Sequence, residues 1–127
     1  MIFDTDILIW FFRGDANAVA TVKDNRPFGI SVVTSMEIMQ GMRDKTELMR
    51  ALNMFADFKV AILHINESVS RLAEMFVQKY ALSHAMKLPD ALIAATSIAY
   101  HVPLLTGNDK HYHFIPNLEI NVFRPHE

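Results

Sequence analysis

Two aspartates stand one residue apart in FDTDILIW, Phe3 to Trp10, at the end of the chain's first apolar stretch. Other acids recur where an apolar run gives way to a new segment: Glu37 after GISVV, Asp90 behind Pro89, and Asp109 in the GND turn after PLLT. Acids so placed have an ordinary use and a chemical one. The ordinary use is local. Asp6 is positioned to cap a helix, Thr34-Ser-Met-Glu37 has the S/T-x-x-E spacing of a capping box, Asp90 suits the positive end of a helix dipole, and Asp109 suits a turn. The chemical use requires the acids to converge. Gathered carboxylates repel, and at least one keeps its proton unless a cation sits among them. An all-oxygen donor set suits Mg²⁺ or Mn²⁺, and such a centre activates water and steadies the charge of a phosphoryl transition state. It needs neither cysteine, of which the chain has none, nor histidine.

Whether the acids converge depends on the elements that carry them. Residues 1–3, 29–33, 60–63, 102–105 and 119–123 read as short buried strands. Helices are expected over 7–12, from an Asp15 cap to about residue 23, over 34–42, 45–57 behind Asp44, 67–82 behind Asn66, and from Pro89 to about Tyr100. In the 45–57 helix, Leu48, Leu52 and Phe55 fall on one face. The last helix is apolar almost all round, so it is expected to be the buried one. Short apolar strands alternating with helices predict an α/β fold with a parallel sheet covered on both faces. In such a sheet the strand C-termini and the following helix N-termini share one rim, where ligands bind. All the acids above fall at that rim.

Composition narrows the rest. With 127 residues, 51% of them hydrophobic, the chain fills one domain with a complete core. No apolar run is long enough to span a bilayer, so no membrane association is expected. The start lacks the basic and apolar regions of a secretory signal, and with the lack of cysteine this predicts a cytoplasmic location. A net charge of −2 excludes nucleic-acid binding by broad phosphate neutralisation; contact must be local or use metal ions as the positive charge.

Four segments, MIFDTDILIW, ISVVTSMEIMQG, LPDALIAATSIAY and PLLTGNDKHYHFI, taken in order, resemble the PIN-domain ribonucleases. The likeness is greatest to the small VapC-type toxins of toxin–antitoxin pairs, and it spans almost the whole chain. It implies a single domain over residues 1–127, a three-layer α/β/α sandwich around a mostly parallel sheet. It implies Asp4, Glu37 and Asp90 as the catalytic, metal-binding acids, with Mg²⁺ or Mn²⁺ as cofactor. The family's fourth polar position, two residues after the strand-end Thr106, is Asn108 here, where many relatives carry Asp; the adjacent Asp109 is the other candidate for that catalytic and metal-binding place. Thr5 and Thr106 would orient the acids. Asp6 stands where the family usually has Asn or Ser, and would add negative charge or order the loop. The implied activity is metal-dependent endonucleolytic cleavage of single-stranded RNA. The implied partners are a second copy of the chain and a cognate antitoxin, whose C-terminal segment crosses the cleft. The 45–57 helix is either a docking place for that segment or simply part of the core.

Arg13, Arg43, Lys87 and Lys110 are expected near the rim, as phosphate contacts or as solvated surface charges. His111 and His113 would point to one side of a strand as an H-x-H pair, but no third nitrogen ligand accompanies them. Trp10, Phe11 and Phe12 suit either packing or base stacking, and the eight methionines suit gap-filling. Two rival readings remain. A haloacid dehalogenase-like phosphatase also begins with strand-D-x-D and would use Asp4 as nucleophile, although Leu8 stands where that family wants Thr or Val. A catalytically inactive PIN-like binding module would keep the fold without the reaction.

Overall fold

The computed structural model describes residues 1–126. Its strands are β1 (Ile2–Phe3), β2 (Gly29–Ser31), β3 (Ala61–Leu63), β4 (Leu104–Thr106) and β5 (Ile120–Val122). The helices are α1 (Thr5–Phe12), α2 (Ala16–Asp24), α3 (Val32–Gln40), α4 (Lys45–Asp57), α5 (Glu67–His84) and α6 (Leu88–Ala99). The sheet order is β3-β2-β1-β4-β5, with every neighbouring pair parallel. The first strand is therefore central, held by β2 on one side and by β4 on the other, with Ile2 opposite both Gly29 and Leu104.

Successive strand residues point to opposite faces, and this divides the core in two. Ile2 and Leu104 join a cluster with Phe76, Tyr80 and Ile93 of α5 and α6. Phe3 and Leu105 join a second cluster with Ile7, Val22 and Phe55 of α1, α2 and α4. Helices thus cover both faces, as the α/β/α sandwich requires. Side-chain caps start five of the helices. Asp4, Asp15, Ser31, Asp44 and Asn66 each accept a backbone N–H from the first turn of the helix that follows. Helix α6 has no such cap; Pro89 presets its first turn, with Asp90 beside it. Among the described residues, no helix is long and apolar enough to cross a membrane.

Several boundaries differ from the sequence expectation, and two of the differences matter. Helix α1 starts at Thr5 rather than residue 7, so Asp4, not Asp6, is its cap. Strand β2 ends at Ser31, which caps α3; Thr34 lies inside that helix, so the expected capping box does not form. Glu37 is thereby released from a capping role. The His111 and His113 pair is not on a strand: residues Asp109–His111 form one 3₁₀ turn. Helix α4 buries Ala51, Met54 and Phe55, leaving Leu52 on the exposed side. Met36, Met49 and Met75 are also exposed rather than gap-filling.

Candidate active site

Asp4 is the first residue beyond β1 and is 4% exposed. Both its oxygens are engaged. Oδ1 accepts the Thr5 amide at 2.8 Å and Oδ2 accepts the Thr106 hydroxyl at 2.8 Å. Thr106 ends β4, the neighbouring strand, so the parallel pairing of β1 and β4 delivers this contact across 102 residues of chain. The same Thr106 oxygen accepts the Asn108 amide at 2.9 Å, turning the chain sharply after the strand.

Glu37 arrives from α3. Its Oε1 accepts the Thr5 hydroxyl at 2.7 Å, and that hydroxyl lies 3.0 Å from the Thr34 hydroxyl. Asp90 arrives from the first turn of α6. The Tyr112 hydroxyl donates to its Oδ1 at 3.2 Å, and His111 Nδ1 lies 3.3 Å from its Oδ2. The Asp4 charge also acts on the Tyr112 phenol. The structure therefore brings Asp4, Glu37 and Asp90 to one rim: Thr5 joins the first two, and Asp90, held by Tyr112, is close enough for its charge to act on Asp4.

The electrostatics are those of surplus negative charge. Burial pushes the Asp4 carboxyl above its ordinary range, the charge of Asp90 adds to the rise, and the Thr106 and Thr5 hydrogen bonds oppose it. Asp6 is pushed up to about 7 by burial and by the Asp4 charge. Its Oδ2 accepts the Gly107 amide at 2.9 Å, while its buried Oδ1 has no hydrogen-bond partner among the described residues. Burial also raises the Tyr112 phenol, and both acids add to it. Among the described residues, no lysine or arginine pairs with Asp4, Glu37 or Asp90.

The donor chemistry fits a hard divalent cation: three carboxylates, an orphaned carboxylate oxygen beside them and, among the described residues, no lysine or arginine paired with them. The spacing is not that of a closed cage, because among the described residues no three acidic or histidine side chains are grouped tightly enough to hold a metal ion as they stand.

The remaining expected residues are distributed around this rim. Asn108 begins the 3₁₀ turn without a side-chain cap. Asp109 is engaged elsewhere, 3.0 Å from Arg124, which holds its carboxyl below the usual range. Arg124 also donates to the Gly107 and Phe123 carbonyls at 3.0 and 3.1 Å. Arg13 packs over the Trp10 ring at 5.6 Å, and Arg43 pairs with Glu47 at 2.7 Å. Arg13, Arg43 and Glu37 line one groove of 670 Å³, along with Arg50. Lys87 precedes α6 and Lys110 lies in the 3₁₀ turn, both exposed. Sequence reasoning missed Tyr112 and Arg124. The signal for Tyr112 was a polar-tipped aromatic where only apolar packing was needed; Arg124 left none.

Comparison with known proteins agrees with this geometry. Residues 1–115 match the PIN domain family profile. Ribonuclease VapC10 of Mycobacterium tuberculosis is 32% identical over 125 residues, covering 94% of this chain and 90% of that protein. A toxin–antitoxin complex from Klebsiella pneumoniae contains a chain that superposes with a TM-score of 0.77 at 31% identity, covering 99% of this chain and 98% of that one. VapBC2 from Rickettsia felis, bound to a promoter DNA fragment, shares the fold with a TM-score of 0.79 at 20% identity over 98% of this chain and 100% of that one. None of these favours the phosphatase alternative. The acids that meet at the rim, the sheet order and the sequence relationship converge on one assignment: the chain belongs to the PIN-domain family.

Proposed function

We propose that the chain is a metal-dependent endoribonuclease of the cytoplasm that cleaves single-stranded RNA, and the toxin of a VapBC-type toxin–antitoxin pair. The observation that carries this reading is the meeting of Asp4, Glu37 and Asp90, from three separate segments, at one strand-end rim in a PIN-family chain. The kinship with Ribonuclease VapC10 supports the reaction, and the likeness to the Klebsiella pneumoniae toxin–antitoxin complex supports the partner.

Asp4, Glu37 and Asp90 would hold Mg²⁺ or Mn²⁺, which when bound supplies a Lewis acid that lowers the pKa of water and offsets phosphoryl charge. The chain's own residues prepare for this. Thr106 and the Thr5 amide fix the Asp4 carboxylate, and Thr5 and Tyr112 aim Glu37 and Asp90. Burial of Asp4 sharpens its preference for a cation, because a desolvated carboxylate gains most from a neighbouring positive charge. Asn108 takes the fourth polar place, since Arg124 holds Asp109 aside. Arg13 and Arg43 lead a phosphate backbone towards Glu37 along their shared groove; Lys87 and Lys110, both exposed, are further candidate phosphate contacts. With so little positive charge overall, a few placed cations determine how RNA lies.

The antitoxin's C-terminal segment would occupy the apolar groove of 840 Å³ between α1 and α4, lined by Phe11, Phe12, Met49, Met54 and Phe58. The active species would be a homodimer. The test is cleavage of defined end-labelled RNAs with Mg²⁺ or Mn²⁺, against an EDTA control and Asp4→Ala and Asp90→Ala variants. Cleavage that is abolished by EDTA and by both substitutions is expected. Cleavage that persists in either variant overturns the site assignment, and wild-type chain that cleaves no RNA overturns the function.

A further inference from the structure

Tyr112 is fully buried, with 0% of its surface exposed, yet its hydroxyl does not face apolar core. It ends against a carboxylate, donating to Asp90 Oδ1 at 3.2 Å, with the charge of Asp4 close by. Its ring is anchored in the core cluster that contains Ile2, Leu104 and Ile115. The backbone around it is closed by bonds from the Tyr112 amide to the Asp109 carbonyl and from the Ile115 amide to the Tyr112 carbonyl. Its position is thus set by packing that does not depend on the acids.

A phenol carries one proton and can accept as well as donate. Placed between two like charges in a desolvated site, it gives one carboxylate a hydrogen bond and puts a dipole where their repulsion would otherwise be greatest. Phenylalanine would satisfy the same packing. Leaving a hydroxyl buried there would cost free energy unless it bonded to the acids.

Resting on the ribonuclease reading above, we propose that Tyr112 is a positioning residue: its hydroxyl holds Asp90 beside Asp4, so that a divalent cation meets a pair of carboxylates already facing each other. The contact is made by the chain itself and ties α6, which carries Asp90, to the segment after β4, which carries Tyr112.

The test is Tyr112→Phe in the full chain, with Tyr80→Phe as the control; Tyr80 is buried in the same core cluster and has no acid among its bonded partners. Mn²⁺ binding is measured by titration calorimetry, alongside RNA cleavage as a function of Mn²⁺ concentration. Tyr112→Phe is expected to weaken Mn²⁺ binding by about 10–100-fold. The Mn²⁺ concentration giving half-maximal cleavage rises by the same factor, and KM for RNA at saturating Mn²⁺ stays unchanged. Tyr80→Phe leaves the Mn²⁺ dissociation constant unchanged. A dissociation constant for Tyr112→Phe equal to or below that of wild type overturns the proposal, while leaving the ribonuclease reading intact if wild type still cleaves RNA. Wild-type chain that neither binds Mn²⁺ nor cleaves RNA overturns both. A second measurement needs no variant at that position: with tyrosine labelled at Cζ, the Tyr112 resonance shifts on Mg²⁺ addition, and Asp90→Asn abolishes the shift. A resonance indifferent to Mg²⁺ in a wild-type chain that binds the ion also overturns it.

Discussion

The Thr5 hydroxyl reaches the Glu37 carboxylate at 2.7 Å, across 32 residues of chain. Thr5 also belongs to the backbone that caps α1 through Asp4, so one residue sets the geometry of two acids. Thr5→Val removes the hydroxyl but keeps the shape. Cleavage is expected to fall by about 10–100-fold, with a stability loss of only about 0.5–1.5 kcal/mol. Thr5→Ser restores most of the rate. Cleavage assays and urea melts on the three chains check this, and a Thr5→Val chain with undiminished activity would show that Glu37 needs no such aim.

Asp6 links stability to pH. Its carboxyl is pushed up to about 7 by burial and the Asp4 charge, from an ordinary 3.8. The folded chain therefore holds this proton over a range in which the unfolded chain has released it. The unfolded state binds fewer protons there, so stability falls as pH rises from 3.8 towards about 7. Asp4, also raised, adds a contribution of the same sign. Asp6→Asn keeps an oxygen for the Gly107 amide and removes the charge. It is expected to raise the melting temperature at about pH 8 and change it little at about pH 4. Melts across that range decide the matter; a variant that melts below wild type at high pH would contradict the sign.

Gly107 has no room for a side chain. A Cβ there would stand 2.6 Å from Asp6 Oδ2 and 3.3 Å from the Phe123 carbonyl. Gly107→Ala should cost about 1–3 kcal/mol, as overpacking does, and should displace the turn that carries Asn108. Because the closest atom belongs to Asp6, Asp6→Ala in the same chain should recover part of that cost. Denaturation of the two single variants and the double variant measures the coupling; strictly additive losses would mean that the clash lies elsewhere.

On the proposed reading Asn108 fills the fourth polar place, because Arg124 pairs with Asp109 at 3.0 Å. Asn108→Ala is expected to lower the cleavage rate by about tenfold, whereas Asp109→Ala should leave it nearly unchanged. Arg124→Ala releases Asp109 from its ion pair, and in that background Asp109→Ala acquires an effect. Rates for this set of chains test the assignment. A large loss from Asp109→Ala alone would reverse it.

How much of this could be read in advance follows from distance along the chain. The caps at Asp15, Asp44 and Asn66 lie within three residues of the amides they accept, and they were legible. Asp4 and Asp90 stood out because one follows a strand and the other opens a helix, whereas Glu37 lies in the middle of α3. The error at Thr34 came from running the strand two residues too far, to Val33. Pairing of β2 with β3 through Ser31 and Leu63 lets the strand run only as far as Ser31, so Ser31 caps instead. The bonds from Thr106 to Asp4, from Tyr112 to Asp90 and from Arg124 to Asp109 depend on strand order and on the path after β4. No local pattern encodes those.

The strand nearest the start of the chain sits in the middle of the sheet, zipped to one that ends at Thr106. A polypeptide emerging from the ribosome can form α1 early, with the Thr5 amide on Asp4, yet that aspartate lacks its second hydrogen bond until Thr106 has appeared. Translation halted before that point would release fragments in which Thr5 can still hold Glu37, while Asp4 lacks its Thr106 bond and Asp90 its Tyr112 bond, so the complete arrangement of the acids would arise only with the nearly finished chain.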